Sequence, residues 1–196
     1  MAQRKAQIKR KTKETDIELK LNLDGSGKSE INTPVNFLNH LLENFSKHSR
    51  FDLSINAKGD THVDCHHTVE DIAICLGQAL DKALGDKCGI ARMGHAIVPM
   101  DDSLAVAAMD LSGRGYAVID LPFSEFREKQ VGDLSKENLV HFLEALAIEG
   151  KFNLNVKVSG KNDHHKIEAC FKALAKAFYD ATRIIHADIP STKGVI

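Results

Sequence analysis

The chain has 196 residues, of which 43% are hydrophobic and 27% charged, so it can bury a core as one domain or two small fused halves. A net charge of −1 leaves no electrostatic footprint for a nucleic-acid partner. No apolar run has the length of a membrane span or a signal-peptide core, so no membrane partner is expected either. Cys65, Cys75, Cys88 and Cys170 show no C-x-x-C pairing, which fits a reduced, cytoplasmic setting.

In chain order, the basic start (Arg4, Lys5, Lys9, Arg10, Lys11, Lys13) reads as a solvated strand face. Residues 15–23 alternate toward Leu19, Leu21 and Leu23, as a half-buried strand does. Asp24-Gly-Ser-Gly27 is turn chemistry. Residues 35–48 place Phe37, Leu38, Leu41, Leu42 and Phe45 at helical spacing. A strand is predicted over 51–57 and a second helix over 66–84. The series then repeats and ends in a helix at about 164–184. Phe51 to Gly59 aligns with Phe152 to Gly160, and His40-Leu-Leu-Glu43 with His141-Phe-Leu-Glu144. His66-His67-Thr-Val-Glu70 falls on His164-His165-Lys-Ile-Glu168, and Leu23 to Gly27 on Leu111 to Gly115. The second copy carries extra residues, including Phe123 to Asp133. The reading is an α+β fold of two pseudo-symmetric halves, 1–86 and 87–196, fused in one globular unit. Each half is a small mixed sheet with helices on one face.

His-His-x-x-Glu on a helix sets the first His and the Glu at i,i+4, and the second His and the Glu at i,i+3, all on one face. Imidazoles with one carboxylate suit Zn, Mn, Fe or Ni better than Ca or Mg. One such motif is weak. Two in register, each with a further matched histidine, give eight candidate ligands, enough for two metals. They form two equivalent sets: His40, His66, His67, Glu70 and His141, His164, His165, Glu168. Glu43 and Glu144 read as exposed helix charges. His48, His62, His95 and His186 read as surface residues or as supports beside the ligands. Cys65 has Asp163 as its counterpart and is left out of the ligand set.

A second group of residues looks like an anion site. Arg92 lies in Gly-Ile-Ala-Arg-Met-Gly, and Arg114 sits between glycines that let a ligand approach the backbone. Lys172 follows Glu168 by four residues and shares its helix face, and Ser191-Thr-Lys193-Gly lies in a Pro-led terminal segment. Guanidinium and ammonium groups are the usual phosphate partners. Metals beside such a grip suggest a small phosphorylated substrate.

These stretches together resemble the imidazoleglycerol-phosphate dehydratase family. The resemblance runs over nearly the whole chain: Phe37-Leu-Asn-His-Leu-Leu42, Asp64-Cys-His-His-Thr-Val-Glu-Asp71, Gly89-Ile-Ala-Arg92, Pro99-Met-Asp-Asp102, Asp110-Leu-Ser-Gly-Arg114, Val131-Gly-Asp-Leu134, Gly160 to Glu168, Phe171-Lys-Ala173 and Pro190 to Val195. It implies a dehydratase of histidine biosynthesis converting imidazole glycerol phosphate to imidazole acetol phosphate and water. It also implies two Mn²⁺ per active site, active sites shared between subunits, and a homo-oligomer of twenty-four chains built from trimers. The eight ligands would carry over to the metals. Arg92, Arg114, Lys172, Ser191 and Lys193 would carry over to the phosphate. Glu14, Glu70, Glu168 and Asp101 would be the candidates for proton transfer. Three departures from the family pattern are Asn39 and Cys65, each where Asp is usual, and Thr33-Pro34, where Thr-Gly is usual. Three rival readings exist: another metal-dependent lyase or hydrolase acting on a phosphorylated substrate, which a substrate panel separates, an RNA-binding module, and a metal store or sensor. An RNA-binding module lacks charge and interleaved aromatics. A metal store or sensor leaves the anion residues without a purpose.

Overall fold

The computed structural model describes residues 4–124 and 129–196, so the expected insertion from Phe123 to Asp133 lies partly outside the described residues. The first half runs β1 (Lys5–Lys11), β2 (Thr15–Asn22), β3 (Ser29–Asn32), α1 (Asn36–Ser49), β4 (Asp52–Gly59) and α2 (His66–Leu84). The second runs β5 (Met93–Met100), β6 (Ser103–Asp110), β7 (Tyr116–Asp120), a short β8–β9 hairpin (Gln130–Val131, Leu134–Ser135), α3 (Lys136–Glu149), β10 (Asn153–Ser159) and α4 (Asp163–Ala181).

The two large sheets have one topology. The first is ordered β1-β2-β4-β3 and the second β5-β6-β10-β7, with the β3–β4 and β7–β10 pairs parallel and the rest antiparallel. In both sheets alternate residues point inward, such as Ile17, Leu19 and Leu21 in β2 and Ala105, Ala107 and Met109 in β6. The helices cover these faces, and across the halves α1 packs on α4 and α2 on α3. Helical spacing in α1 buries Leu38, Leu41, Leu42 and Phe45, each worth roughly 1.5–3 kcal/mol on removal from water.

The halves meet at an aromatic cluster. Phe51 and Phe152, at matching positions of the repeat, both meet Phe178 edge to face, with ring centroids 6.3 and 5.1 Å away. The second sheet closes on α4 at Gly94, where an added Cβ would sit 2.1 Å from the Ala177 carbonyl oxygen. Each of the four helices also needs partners for its first N–H groups. Ser135 Oγ accepts from Asn138 N at 3.1 Å, and Asn162 Oδ1 from His164 N at 2.9 Å. At α2, Asp64 Oδ1 accepts from His66 N at 2.7 Å. Helix α1 has no cap of its own. Asp133, in the β8–β9 turn of the other half, accepts from the Asn36 and Phe37 N–H groups at 2.6 and 2.8 Å.

Candidate metal centre and anion cavity

The predicted ligands lie in the first two turns of the four helices, and the structure pairs them across the repeat. His141 of α3 joins the α2 motif: its Nε2 is 2.8 Å from Glu70 Oε1, and its ring stacks on His66 at 5.2 Å between centroids. His40 of α1 joins the α4 motif: its Nε2 is 3.0 Å from Glu168 Oε1, which His164 Nε2 also reaches at 2.8 Å. The two sets drawn by half therefore exchange their helix-borne histidines, because α1 packs on α4 and α3 on α2. Among the described residues, the ligand atoms of His66, Glu70 and His141 lie within 4.8 Å of one another, as do those of Glu14, Asp60 and His67.

His67 and His165 stand outside the two crosswise His-His-Glu groups. Asp60, at the end of β4, is 3.0 Å from His67 Nδ1, and Glu14 is 3.9 Å away. The Asp60 hydrogen bond raises the His67 pKa and lowers that of Asp60. Asp102 is 2.6 Å from His165 Nδ1 and also accepts the N–H groups of Lys161 and Asn162. That hydrogen bond from His165 comes first in holding the Asp102 carboxyl far below its usual value. Asp101, in the β5–β6 turn with φ 48°, places a carboxylate oxygen 3.5 Å from His165 Nε2. Each of these two imidazoles thus has Nδ1 engaged by a carboxylate, which directs Nε2 away from the backbone.

Glu168 is buried while Glu70 is about a third exposed. Burial pushes the Glu168 carboxyl up, but Lys172, His40 and His164 outweigh it and bring the pKa down to about 2. Lys172 Nζ lies 2.9 Å from Glu168 Oε2, so the structure groups this lysine with the candidate metal ligands.

The other anion candidates gather elsewhere. Arg92, Arg114, Ser191 and Lys193 line one cavity of about 590 Å³ together with Asp81, Lys87 and Lys151. Arg92 is already engaged: Nε and Nη2 hold both oxygens of Asp110 at 2.7 and 3.1 Å, and Nη1 donates to the Pro190 carbonyl at 2.8 Å. Two of the five guanidinium donors remain, and the Pro190 contact ties down the segment carrying Ser191 and Lys193. This cavity adjoins Asp81 and Gly85, at the opposite end of α2 from His66. Fifteen residues at the helical rise put about 22 Å between them. One chain therefore does not bring this cavity to its own candidate metal ligands.

Asp60, Asp102 and Asn138, whose Oδ1 is 2.9 Å from His66 Nδ1, were not among the residues singled out from sequence. The motifs flagged their neighbours, and only Asp102 had a visible signal, as the second acid of Pro-Met-Asp-Asp. Two departures from the family pattern have local partners. Cys65 Sγ accepts from Asn138 Nδ2 at 3.3 Å, and Asn39 exchanges hydrogen bonds with Thr33. All four cysteines are free, and no helix among the described residues is long and apolar enough to cross a membrane.

The model of the family described as imidazoleglycerol-phosphate dehydratase matches residues 33–178. The enzyme of that name from Methanothermobacter thermautotrophicus is 53% identical over 191 residues, covering 97% of both chains. The Chloroherpeton thalassium enzyme is 53% identical over the full length of both. The crystal structure of IGPD from Pyrococcus furiosus superposes with a TM-score of 0.83 at 36% identity, covering 96% of this chain and 100% of that one. The Staphylococcus aureus structure gives 0.81 at 34% identity, covering 92% and 99%. With the duplicated α+β fold and the paired histidine motifs, these matches place the chain in the imidazoleglycerol-phosphate dehydratase family, the hydro-lyases of histidine biosynthesis.

Proposed function

We propose that this chain dehydrates imidazole glycerol phosphate to imidazole acetol phosphate with two Mn²⁺ ions per active site, in a cytoplasmic homo-oligomer of twenty-four chains built from trimers. The observation that carries the metal reading is the crosswise pairing of two His-His-Glu triads. The donor set fits a divalent transition ion: imidazole nitrogens and one carboxylate converge in each triad. His66 has Nδ1 engaged by Asn138, which leaves Nε2 free to ligate. His40, His164 and Glu168 would hold one ion, and His66, Glu70 and His141 the other. His67 and His165 would complete the shells. Bound ions would supply Lewis acidity toward the substrate's imidazole ring.

The remaining groups divide the work. Arg114, Ser191, Lys193 and the free donors of Arg92 would grip the phosphate, with the Lys172 ammonium nearer the metals. Glu168, held at about 2, is a poor proton acceptor near neutrality. Glu70 would be occupied as a ligand. Glu14 and Asp101 are exposed and stand beside His67 and His165, so they are the better candidates to move the substrate's proton. The distance between anion cavity and metal ligands supports an active site assembled from more than one copy. The outer face of the second sheet supports the same reading, since it exposes Met93, Ile97, Val106, Tyr116 and Val118 while the first presents Lys5, Gln7, Lys9 and Glu18.

The test is to strip metal from the purified protein, restore Mn²⁺ and follow ketone formation from imidazole glycerol phosphate. Manganese-dependent turnover is expected. Full turnover of the stripped protein in chelator would remove the metal from the reaction.

A further inference from the structure

The two triads repeat the same ligand types, but their surroundings do not repeat. Asn138 and Phe37 occupy matching positions, each three residues before a ligand histidine, His141 or His40. Asn138 Oδ1 lies 2.9 Å from His66 Nδ1. Phe37 instead packs its ring on His164, with centroids 5.1 Å apart. Ile74 and Lys172 also correspond, each four residues after a ligand glutamate. Glu168 therefore shares its second oxygen with an ammonium at 2.9 Å, whereas the matching position beside Glu70 is aliphatic.

We propose that the two triads hold divalent metal with unequal affinity, His66–Glu70–His141 being the tighter, and that Asn138 is the positioning residue that sets much of the difference. The proposal rests on the metal reading above. An imidazole whose Nδ1–H is held by an amide oxygen keeps the tautomer and ring angle that present Nε2, and it is a more basic ligand. An aromatic ring beside His164 restrains its position but accepts no conventional hydrogen bond from it. The Lys172 ammonium repels an incoming dication and partly neutralises Glu168 before the metal arrives. Burial of Glu168 acts the other way, by strengthening its attraction for a cation, but the ammonium shares that environment.

The test is a titration of the metal-free protein with Mn²⁺, with the free ion counted by electron paramagnetic resonance. Two classes of site per chain are expected, about 10- to 100-fold apart, the range such supporting hydrogen bonds command. His141→Ala should delete the tight class and His40→Ala the weak one. Asn138→Phe, which copies the other half, should weaken the tight class toward the other. Asn138→Leu, nearly isosteric, makes the same test if Phe does not fold. Asn138→Asp, which keeps an acceptor, should retain the tight class. Two equal sites, or a tight class unchanged in Asn138→Leu, would overturn the inference and leave the metal reading standing. Absence of any Mn²⁺ binding would overturn both.

Discussion

At Asp102 one carboxylate accepts from an imidazole nitrogen and two backbone N–H groups. It thereby joins the β5–β6 turn to the start of α4 and fixes the face that His165 presents. Asp102→Ala removes the acceptor from His165 Nδ1 and from both N–H groups, and the ring is free to turn. Manganese-supported kcat/KM should fall about 10- to 100-fold with the fold intact, as judged by circular dichroism. Retained activity would reduce Asp102 to a turn residue. Duplication made the candidate ligands stand out in the sequence, because packing alone does not require His and Glu types to recur in register. Their partners were not legible. Asn138 lies 72 positions from His66, and nothing in either local pattern links them. The crosswise pairing was hidden for the same reason, since helix packing across halves decides it.

Among the elements, the strands and helices with strong periodicity were readable to within a few residues: 35–48 against Asn36–Ser49, and 66–84 against His66–Leu84. The four-residue β3 and five-residue β7 were not, being too short to show alternation against their surroundings. The start of α1 shows how an element depends on a distant one. Val35 supplies no side-chain cap, and Asp133 of the other half does. Asp133→Ala should cost about 1 kcal/mol in denaturant melts, the usual worth of such a cap. Burial pushes the Asp133 carboxyl up, but the Phe37 and Asn36 N–H groups outweigh it and hold it below the ordinary 3.8. A depressed carboxylate contributes stability above its unfolded pKa and loses it as pH falls through the folded one. The penalty of Asp133→Ala should therefore be full above pH 3.8 and shrink below it. An equal penalty at all pH values would assign it to packing. Gly94→Ala tests the seam between β5 and α4: with a backbone carbonyl 2.1 Å from the new Cβ, the strand must move, and a loss of about 1–3 kcal/mol is expected.

At the scale of the whole molecule, the folded chain sets its two kinds of chemistry at opposite ends of the same helices. The candidate ligands of α2 and α4 lie in the first two turns of those helices, while Arg92 binds the Ala181 carbonyl through its backbone N–H at the far end of α4. Seventeen residues from His164 to Ala181 correspond to about 26 Å, too far for one small substrate to bridge within a chain. If the active site joins the metal end of one copy to the anion end of another, two variants broken at different ends should complement each other. Arg114→Ala removes a guanidinium from the cavity, and His141→Ala removes a ligand from the triad. Each alone should be nearly inactive. Co-expressed as mixed oligomers, some sites would combine an intact metal end with an intact anion end, and turnover should return above the level of either variant alone. Arg114 suits the experiment better than Arg92, which also pairs with Asp110 and the Pro190 carbonyl and so holds the terminal segment in place. Mixed oligomers as inactive as their parents, with both subunits present by mass, would mean that each chain completes its own site, and the C-terminal cations would then need another role.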